Sequence, residues 1–262
     1  EVYRMYPTLS VFLPNGDFAG IYLNGGNYNI IGKMALAGRN KKETWDQWYT
    51  GRFDLHPMKG LSVKGDYSWN RYSTVQKFHR KEMTQTFPEG RDPYLVETPN
   101  YVRNYNSNNI YQAINVWAEY KKSFNDVHNL SLMAGYNQEE KTYASTSYTM
   151  TDLYDNEMPI SDLAINYKEN EEGSDIWRVQ GAFFRLNYDY RSKYLLEVNG
   201  RYDGSSKYAK HDRWAFFPSA SVGWRISEEK FFKSLSKVVD NLKIRASIGA
   251  LGNQITDGNH SF

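Results

Sequence analysis

Between Trp214 and Ile226 the chain alternates. Trp214, Phe216, Pro218, Ala220, Val222, Trp224 and Ile226 share one parity, and Ala215, Phe217, Ser219, Ser221, Gly223 and Arg225 the other. A period of two sends successive side chains to opposite faces of a strand, so the run predicts a β-strand with one apolar face. The pattern recurs. Tyr194, Leu196, Val198, Gly200 and Tyr202 alternate with Lys193, Glu197, Asn199 and Arg201. Leu242, Ile244, Ala246 and Ile248 alternate with Lys243, Arg245, Ser247 and Gly249. Ala182, Phe184, Leu186 and Tyr188 do so with Arg185, Asn187 and Asp189, and Leu61, Val63, Tyr67 and Trp69 with Lys64, Asp66, Ser68 and Asn70. Eight such runs predict strands at roughly 46–56, 61–72, 109–121, 127–141, 176–190, 193–203, 214–226 and 241–250. No stretch with helical period exceeds two turns.

The connections alternate in length. "HPMKG" (His56 to Gly60), "KSFNDV" (Lys122 to Val127) and "RS" (Arg191, Ser192) are tight. Ser73 to Asn108 and Thr142 to Asp175 are long and polar, and Asp203 to Arg213 is of medium length. "SEEKFFKSLSKVVD" (Ser227 to Asp240) has room for one or two turns of helix. An up-and-down sheet with brief turns at one end and long loops at the other has this rhythm, and it is the rhythm of an outer-membrane barrel. The fold class expected is therefore all-β, an antiparallel up-and-down transmembrane β-barrel segment of about eight strands. Residues 1–45, rich in turn signals such as "PNGDFAG" and "NGGNYN", read as an extracellular loop segment, and residues 46–262 as the barrel strands.

Geometry supports the membrane reading. Trp214 and Trp224 lie ten residues apart on one face, ~33 Å along a strand at ~3.3 Å per residue. A tilt of ~40° projects this to ~25 Å, the height of the apolar band of an outer-membrane barrel. Tyr194, Tyr202, Trp214 and Trp224 are accordingly the candidate lipid-interface aromatics. A soluble antiparallel sheet with one wet face also alternates. Repetition across runs, aromatics at the ends of the apolar faces and the asymmetry of the turns favour the membrane.

Composition narrows the rest. Aromatic residues make up 16 % of the chain, with 22 Tyr, which suits interfacial girdles better than an aliphatic soluble core. The 32 basic and 30 acidic residues nearly cancel, which argues against nucleic acid as a partner. There is no Cys, so thiol and disulfide chemistry is excluded. No apolar run approaches the roughly 18 residues of a transmembrane helix. His56, His79, His128, His211 and His260 lack the spacing of a helical zinc site, and His56 and His128 read as turn histidines. The neighbouring glutamates at 139/140, 171/172 and 228/229 point to opposite strand faces and form no acid–base pair. "DLYDNE" gathers Asp152, Asp155 and Glu157 in a predicted outer loop, where calcium is the cation to consider, although the spacing is not that of an EF-hand. No catalytic residue and no cofactor site is expected, and the chain does not read as an enzyme.

"YLLEVNGRYDGSSKYAKHDRWAFFPSASVGWRISEEKFF" followed by "NLKIRASIGALGNQ" resembles the barrel region of the SusC/RagA family of TonB-dependent outer-membrane transporters. "FDLHPMKGLSVKGDYSW" at Phe53 to Trp69 and "HNLSLMAGY" at His128 to Tyr136 resemble earlier hairpins of the same barrel, in the same order. The resemblance runs over most of the chain from Trp45 onward. It implies a larger barrel, of the 22-stranded kind with a plugged lumen, in the outer membrane of a Gram-negative, Bacteroidota-like bacterium. It implies partners: a SusD-like surface lipoprotein as lid, TonB acting through a plug absent from this chain, outer-membrane lipid, and a glycan or peptide substrate. No signal peptide, TonB box or plug is seen in this sequence, so the resemblance implies a central fragment. Tyr101, Tyr105, Tyr148 and Tyr154 are then the candidate substrate or lid contacts, since tyrosine suits surfaces with one apolar side and one wet end. The rival readings are a passive porin or adhesin-type barrel and a soluble carbohydrate-binding β-domain.

Val198 lies in the middle of an apolar face. Val198→Arg is expected to cost about 2–4 kcal/mol of stability in a bilayer if that face meets lipid, and close to nothing if it meets water. Equilibrium unfolding of the reconstituted intact protein separates the two.

Overall fold

The computed structural model describes residues 10–19, 22–23, 26–27, 29–86, 92, 94–235 and 238–252. Eight strands make one sheet: β1 (Asn40–Met58), β2 (Leu61–Arg80), β3 (Tyr101–Phe124), β4 (His128–Leu153), β5 (Ala164–Tyr190), β6 (Tyr194–Ser205), β7 (Trp214–Arg225) and β8 (Lys243–Gly249). Each is hydrogen-bonded to its neighbours in sequence, so the order is a plain meander with β1 and β8 at its two edges. The sheet is open. Each alternating run falls on one strand. The helix expected between β7 and β8 is present as two 3₁₀ turns, Ile226–Glu228 and Lys230–Ser234.

Five strands run further than the alternation marks. β1 already starts at Asn40, β2 continues to Arg80, β3 starts at Tyr101, β4 ends at Leu153 and β5 starts at Ala164. The connections expected at 73–108 and 142–175 therefore shrink to 81–100 and 154–163. In these extensions polar side chains occupy both parities, as in "STVQKFHR" and "NYKENEEGSD". Backbone pairing to the adjacent strand holds them extended, and neither face carries the apolar signal that betrays a strand in sequence.

The chain divides into two compact units, one formed by 1–45, 72–108 and 144–174, the other by 46–71, 109–143 and 175–262. In the first, a short α-helix, α1 (Ile30–Leu36), is capped by buried Asn29. The Asn29 amide donates to the carbonyls of Val11 (3.0 Å) and Ala19 (2.7 Å), and its side-chain oxygen accepts from Gly32 N–H (2.9 Å).

In the second unit the tight turns fix the strand register. Asn125 and Asp126 have φ of 50° and 53°, and Val127 N–H donates to Phe124 O at 3.2 Å. Arg191 and Ser192 have φ of 53° and 56°, closed by Lys193 N–H to Tyr190 O at 2.9 Å. Left-handed conformations at both central residues define the type I′ turn, whose twist matches that of the flanking strands. Asn and Asp adopt it readily, whereas Arg and Ser do not. At the second turn the Asp189 carboxylate helps by accepting from Ser192 N–H at 2.6 Å.

From these turns the register runs outward. Tyr194 pairs with Tyr190 and Trp224, Leu196 with Tyr188 and Val222, and Val198 with Leu186 and Ala220. Tyr202 pairs with Ala182 and Phe216. β8 adds Ile248 beside Ala220, Ala246 beside Val222 and Ile244 beside Trp224. The apolar parities of four consecutive strands thus fall on one face. On the other, Asn187, Glu197, Ser221 and Ser247 form one row and Arg185, Asn199 and Ser219 another.

The apolar face is uncovered: Phe216 is 53 %, Ile244 57 % and Ile248 80 % exposed. Aromatics bracket it. The Tyr202 and Trp214 rings stack at 5.0 Å toward one end, and Tyr190 and Tyr194 stack at 6.3 Å at the other. At that second end Glu229 gathers Lys193 (3.0 Å), the Tyr194 hydroxyl (2.8 Å) and the Trp224 indole N–H (3.3 Å). The Lys193 ammonium first, and the Tyr194 hydroxyl next, hold the Glu229 carboxyl below the usual carboxylate range. This anchor is therefore intact at neutral pH and is lost only as pH falls through that lowered value.

Gly200 sits midway along β6, with the rings of Phe184 and Phe216 laid over it. A Cβ there would stand 2.4 Å from the Phe184 ring and 3.0 Å from the Phe216 ring. Gly200→Val should displace both rings and cost about 1–3 kcal/mol, the usual penalty for overpacking. Urea unfolding of the intact protein against the wild type measures it.

Candidate functional site

Away from the apolar face, the second unit presents a hydrogen-bonded polar surface. Asn115 donates to Asp66 (2.8 Å), and Asn137 donates to Asn115 (2.7 Å). The Tyr111 hydroxyl donates to Glu139 at 3.0 Å, and the exposed Trp48 ring lies 6.1 Å from that of Tyr111. Asn70 reaches Asp46 at 2.6 Å. On β5 to β7, Arg185 donates to Asn199 (2.8 Å), and Asn199 donates to Glu197 (2.9 Å) and Ser219 (3.3 Å). These groups satisfy one another across adjacent strands, as polar side chains on a half-buried surface must. Near the tight turns the same surface dips into a concavity of about 610 Å³, lined by Lys122, Ser131, Asn187, Glu197, Lys243 and Arg245 among others. Its lining mixes both signs of charge with the apolar side chains of Leu130, Leu195 and Leu196.

The first unit holds its loops together with two asparagine side chains. Buried Asn100 accepts from Leu153 N–H at 2.6 Å and donates to Leu153 O at 3.1 Å. Its own carbonyl accepts from Asp152 N–H at 3.0 Å. Asn156 does the same for Glu82, accepting from its N–H at 2.8 Å and donating to its carbonyl at 3.0 Å. Each amide replaces a backbone rung of a ladder, so the 81–100 and 154–163 connections are clamped. Lys81 pairs with Glu157, Asn104 donates to Ser161 at 3.1 Å, and Arg103 reaches Ser147 (2.9 Å) and Glu171 (3.0 Å). The asparagine clamps join positions 53 and 74 apart in sequence, and no local pattern announces them.

The tyrosines singled out from sequence are not in one place. Tyr101, at the start of β3, stacks on Phe78 at 5.5 Å beneath the Arg80 guanidinium. By the period of two, Tyr101 and Tyr105 share the face of Arg103, which reaches Ser147. Tyr148, next to Ser147 on β4, points the other way. Tyr154 lies just past β4 and is 86 % exposed. The interface aromatics Tyr194, Tyr202, Trp214 and Trp224 share the parity of the apolar face: Tyr194 is the register partner of Trp224, and Tyr202 stacks on Trp214 across a diagonal of the ladder. The three carboxylates considered for calcium have separate partners. Asp152 accepts from Thr151 and Asn166, Asp155 from Glu157 N–H, and Glu157 pairs with Lys81. Among the described residues no three His, Asp or Glu side chains converge as metal ligands. His128 bonds the Tyr188 hydroxyl at 2.6 Å beside the turn, and His56 lies 3.6 Å from Asp54. His260 lies outside the described residues.

The family model described as "TonB dependent receptor-like, beta-barrel" matches residues 3–251. The chain is similar to the TonB-dependent receptor P3 of Formosa agariphila, with 28 % identity over 262 residues, covering 97 % of this chain and 24 % of that protein. A stretch of 72 residues is 44 % identical to the TonB-dependent receptor SusC of Bacteroides thetaiotaomicron, covering 28 % of this chain and 7 % of SusC. In fold the chain is similar to the RagAB peptide importer in its "open-open" state, with a TM-score of 0.75 and 20 % identity over 95 % of this chain and 27 % of that one. The chain thus spans about a quarter of the length of the relatives that it matches along most of its own.

Asn100→Ala leaves the buried N–H and carbonyl of Leu153 without side-chain partners, at about 1–3 kcal/mol for each group. The expected result is local: hydrogen exchange at the Leu153 amide accelerates strongly, while amides in β6 and β7 keep wild-type protection.

Proposed function

The chain belongs to the TonB-dependent receptor-like β-barrel family, in its SusC/RagA branch, and we propose that it forms part of the barrel wall and outer loops of a TonB-coupled outer-membrane importer. One observation carries the reading. The apolar residues of β5 to β8 stand in register on one uncovered face, with tyrosine and tryptophan at both ends, while the opposite face is a polar network. In water such a face is an aggregation hazard, whereas in a bilayer it is the required surface. In this reading Tyr194, Tyr202, Trp214 and Trp224 sit at the two headgroup levels, and the polar face lines the lumen.

Strand length supports the same reading. A tilted strand crosses a bilayer in about 9–11 residues. β3, β4 and β5 have 24, 26 and 27 residues. They span the membrane and continue well beyond it. The outer loop segment expected at residues 1–45 gives way to strand β1 already at Asn40, and the strands that follow form the wall. The exposed edges β1 and β8 are continued by other strands of the same larger barrel, because an open edge in lipid would leave a row of backbone groups unpaired.

Coupling to TonB runs through a plug outside these residues, and a SusD-like surface lipoprotein closes the outer side. The imported substrate is an oligosaccharide or a peptide. Tyr148 and Tyr154 have exposed rings available to substrate or lid, whereas Tyr101 is already sandwiched. No side chain here is assigned to catalysis.

The test is uptake by cells carrying the intact protein, with labelled oligosaccharides and peptides offered separately. The protein is expected in the outer-membrane fraction, and import is expected to stop when TonB is removed. Import that survives removal of TonB would mean a passive barrel, and recovery of the protein in the soluble fraction would mean a soluble β-domain.

A further inference from the structure

Trp48 of β1 stands on the polar face of the second unit and is 59 % exposed. Its parity is that of Asp46, which accepts from Asn70, and of Thr50, which shares a hydrogen bond with Ser68 at 3.0 Å. The opposite parity of β1 carries the apolar side. There the Tyr49 ring lies 5.7 Å from that of Trp69, and the Phe53 ring lies over Gly65. A period of two therefore sets Trp48 apart from the lipid-facing aromatics. The ring forgoes the burial that a core or a membrane would supply, and it is held as a surface. Tyr111 stands beside it at 6.1 Å with the ring planes 56° apart, and the Tyr111 hydroxyl is fixed by Glu139 at 3.0 Å. Asn70 pins the backbone just before it, donating to Gln47 O at 3.1 Å as well as to Asp46.

The groups around this ring state what fits it. Asp46 lies two residues away on the same face, and Glu139 lies behind Tyr111. A carboxylate has room for several donors beyond the one that each accepts here. By parity Arg52 of β1 and Lys141 of β4 share the surface with Asp46, Asp66 and Glu139, so the charges are mixed and select no net charge on a ligand. A sugar ring has the complementary chemistry. Its C–H groups make a flat apolar patch that packs on the negative face of an aromatic ring, and the hydroxyls at its edge are donors for carboxylates. We propose that Trp48, with Tyr111, is a stacking platform for neutral pyranose units, and that Asp46 and Glu139 accept from their hydroxyls. The proposal rests on the reading above that this face lines the lumen of an importer, and it narrows the two substrate classes named there to the oligosaccharide.

The test uses the intact importer purified in detergent. The probes are linear hexasaccharides of glucose, mannose and xylose, with a neutral hexapeptide of Gly and Ser beside them. Titration calorimetry gives affinity, and saturation-transfer NMR reports which ligand protons touch the protein. At least one hexasaccharide is expected to bind, with transfer strongest at its ring C–H protons, and the hexapeptide is not. Trp48→Ala should weaken that binding roughly 10-fold or more, and Trp48→Phe, which keeps a smaller ring, by less. Glu139→Gln keeps an acceptor for the Tyr111 hydroxyl but loses the charge, and should weaken it about 3-fold. Trp48 is exposed, so urea unfolding of Trp48→Ala should match the wild type. Unchanged sugar affinity in Trp48→Ala would overturn the platform. So would a loss of stability in that variant with sugar affinity kept, since another part of the same protein would then cover the ring. Binding of the hexapeptide alone, or of no probe, would also overturn it, and TonB-dependent import by cells would keep the importer reading standing. Sugar affinity that depends on Trp48, together with import indifferent to TonB, would uphold the platform and overturn the coupled importer.

Discussion

Strand register is the constraint on which the rest depends. Because side chains alternate with a period of two, a slip of one residue between β6 and β7 would move Val198 and Tyr202 to the polar side and Glu197 and Arg201 to the apolar one. Two kinds of contact prevent that. The type I′ turn at Arg191 and Ser192 sets the pairing of β5 with β6, and rings laid over Gly200 lock β5, β6 and β7 sideways. The Asn199 bond to Ser219 would be broken by the same slip, since Ser219 would then face away from it. The two faces of the sheet thus enforce one another: polar satisfaction on one side requires apolar continuity on the other.

The two units use different means to stay ordered. In 46–71, 109–143 and 175–262 the strands alternate, the turns are short and side-chain chemistry is segregated by face. In 1–45, 72–108 and 144–174 order comes from specific amides, Asn29 on α1, Asn100 on Leu153 and Asn156 on Glu82, each making two or more bonds to backbone. Buried amides such as Asn29 and Asn100 are all-or-none: fully bonded they rigidify a loop, and half-bonded they destabilise it.

This difference also explains what could be read from sequence. Eight strands, their apolar parities and the tight turns were legible because each is a local signal, an alternation or a turn dipeptide. The aromatics at 194, 202, 214 and 224 keep the parity of the apolar residues in the strand register. The extensions of β2 to β5 were not legible, because residues such as Gln76, Lys77, Lys168 and Glu169 give no amphipathic contrast. Nor were the asparagine clamps, whose partners are far away in the chain. Tyr101 and Tyr148, expected in loops, sit on strand extensions that the pattern did not mark, whereas Tyr154 lies in the connection just past β4.

The meander has one more consequence, for assembly. Every strand of the sheet bonds only to its predecessor and successor. Pairing therefore never waits for a distant segment, and the largest closures are the connections at 81–100 and 226–242. Loop-closure entropy is met in small instalments along the chain, hairpin by hairpin. At each stage the growing sheet ends in a single row of unsatisfied amides and carbonyls, and the next hairpin is the template-matched group that covers it. A chain built this way can enter a membrane progressively, exposing one edge at a time instead of a whole unpaired surface.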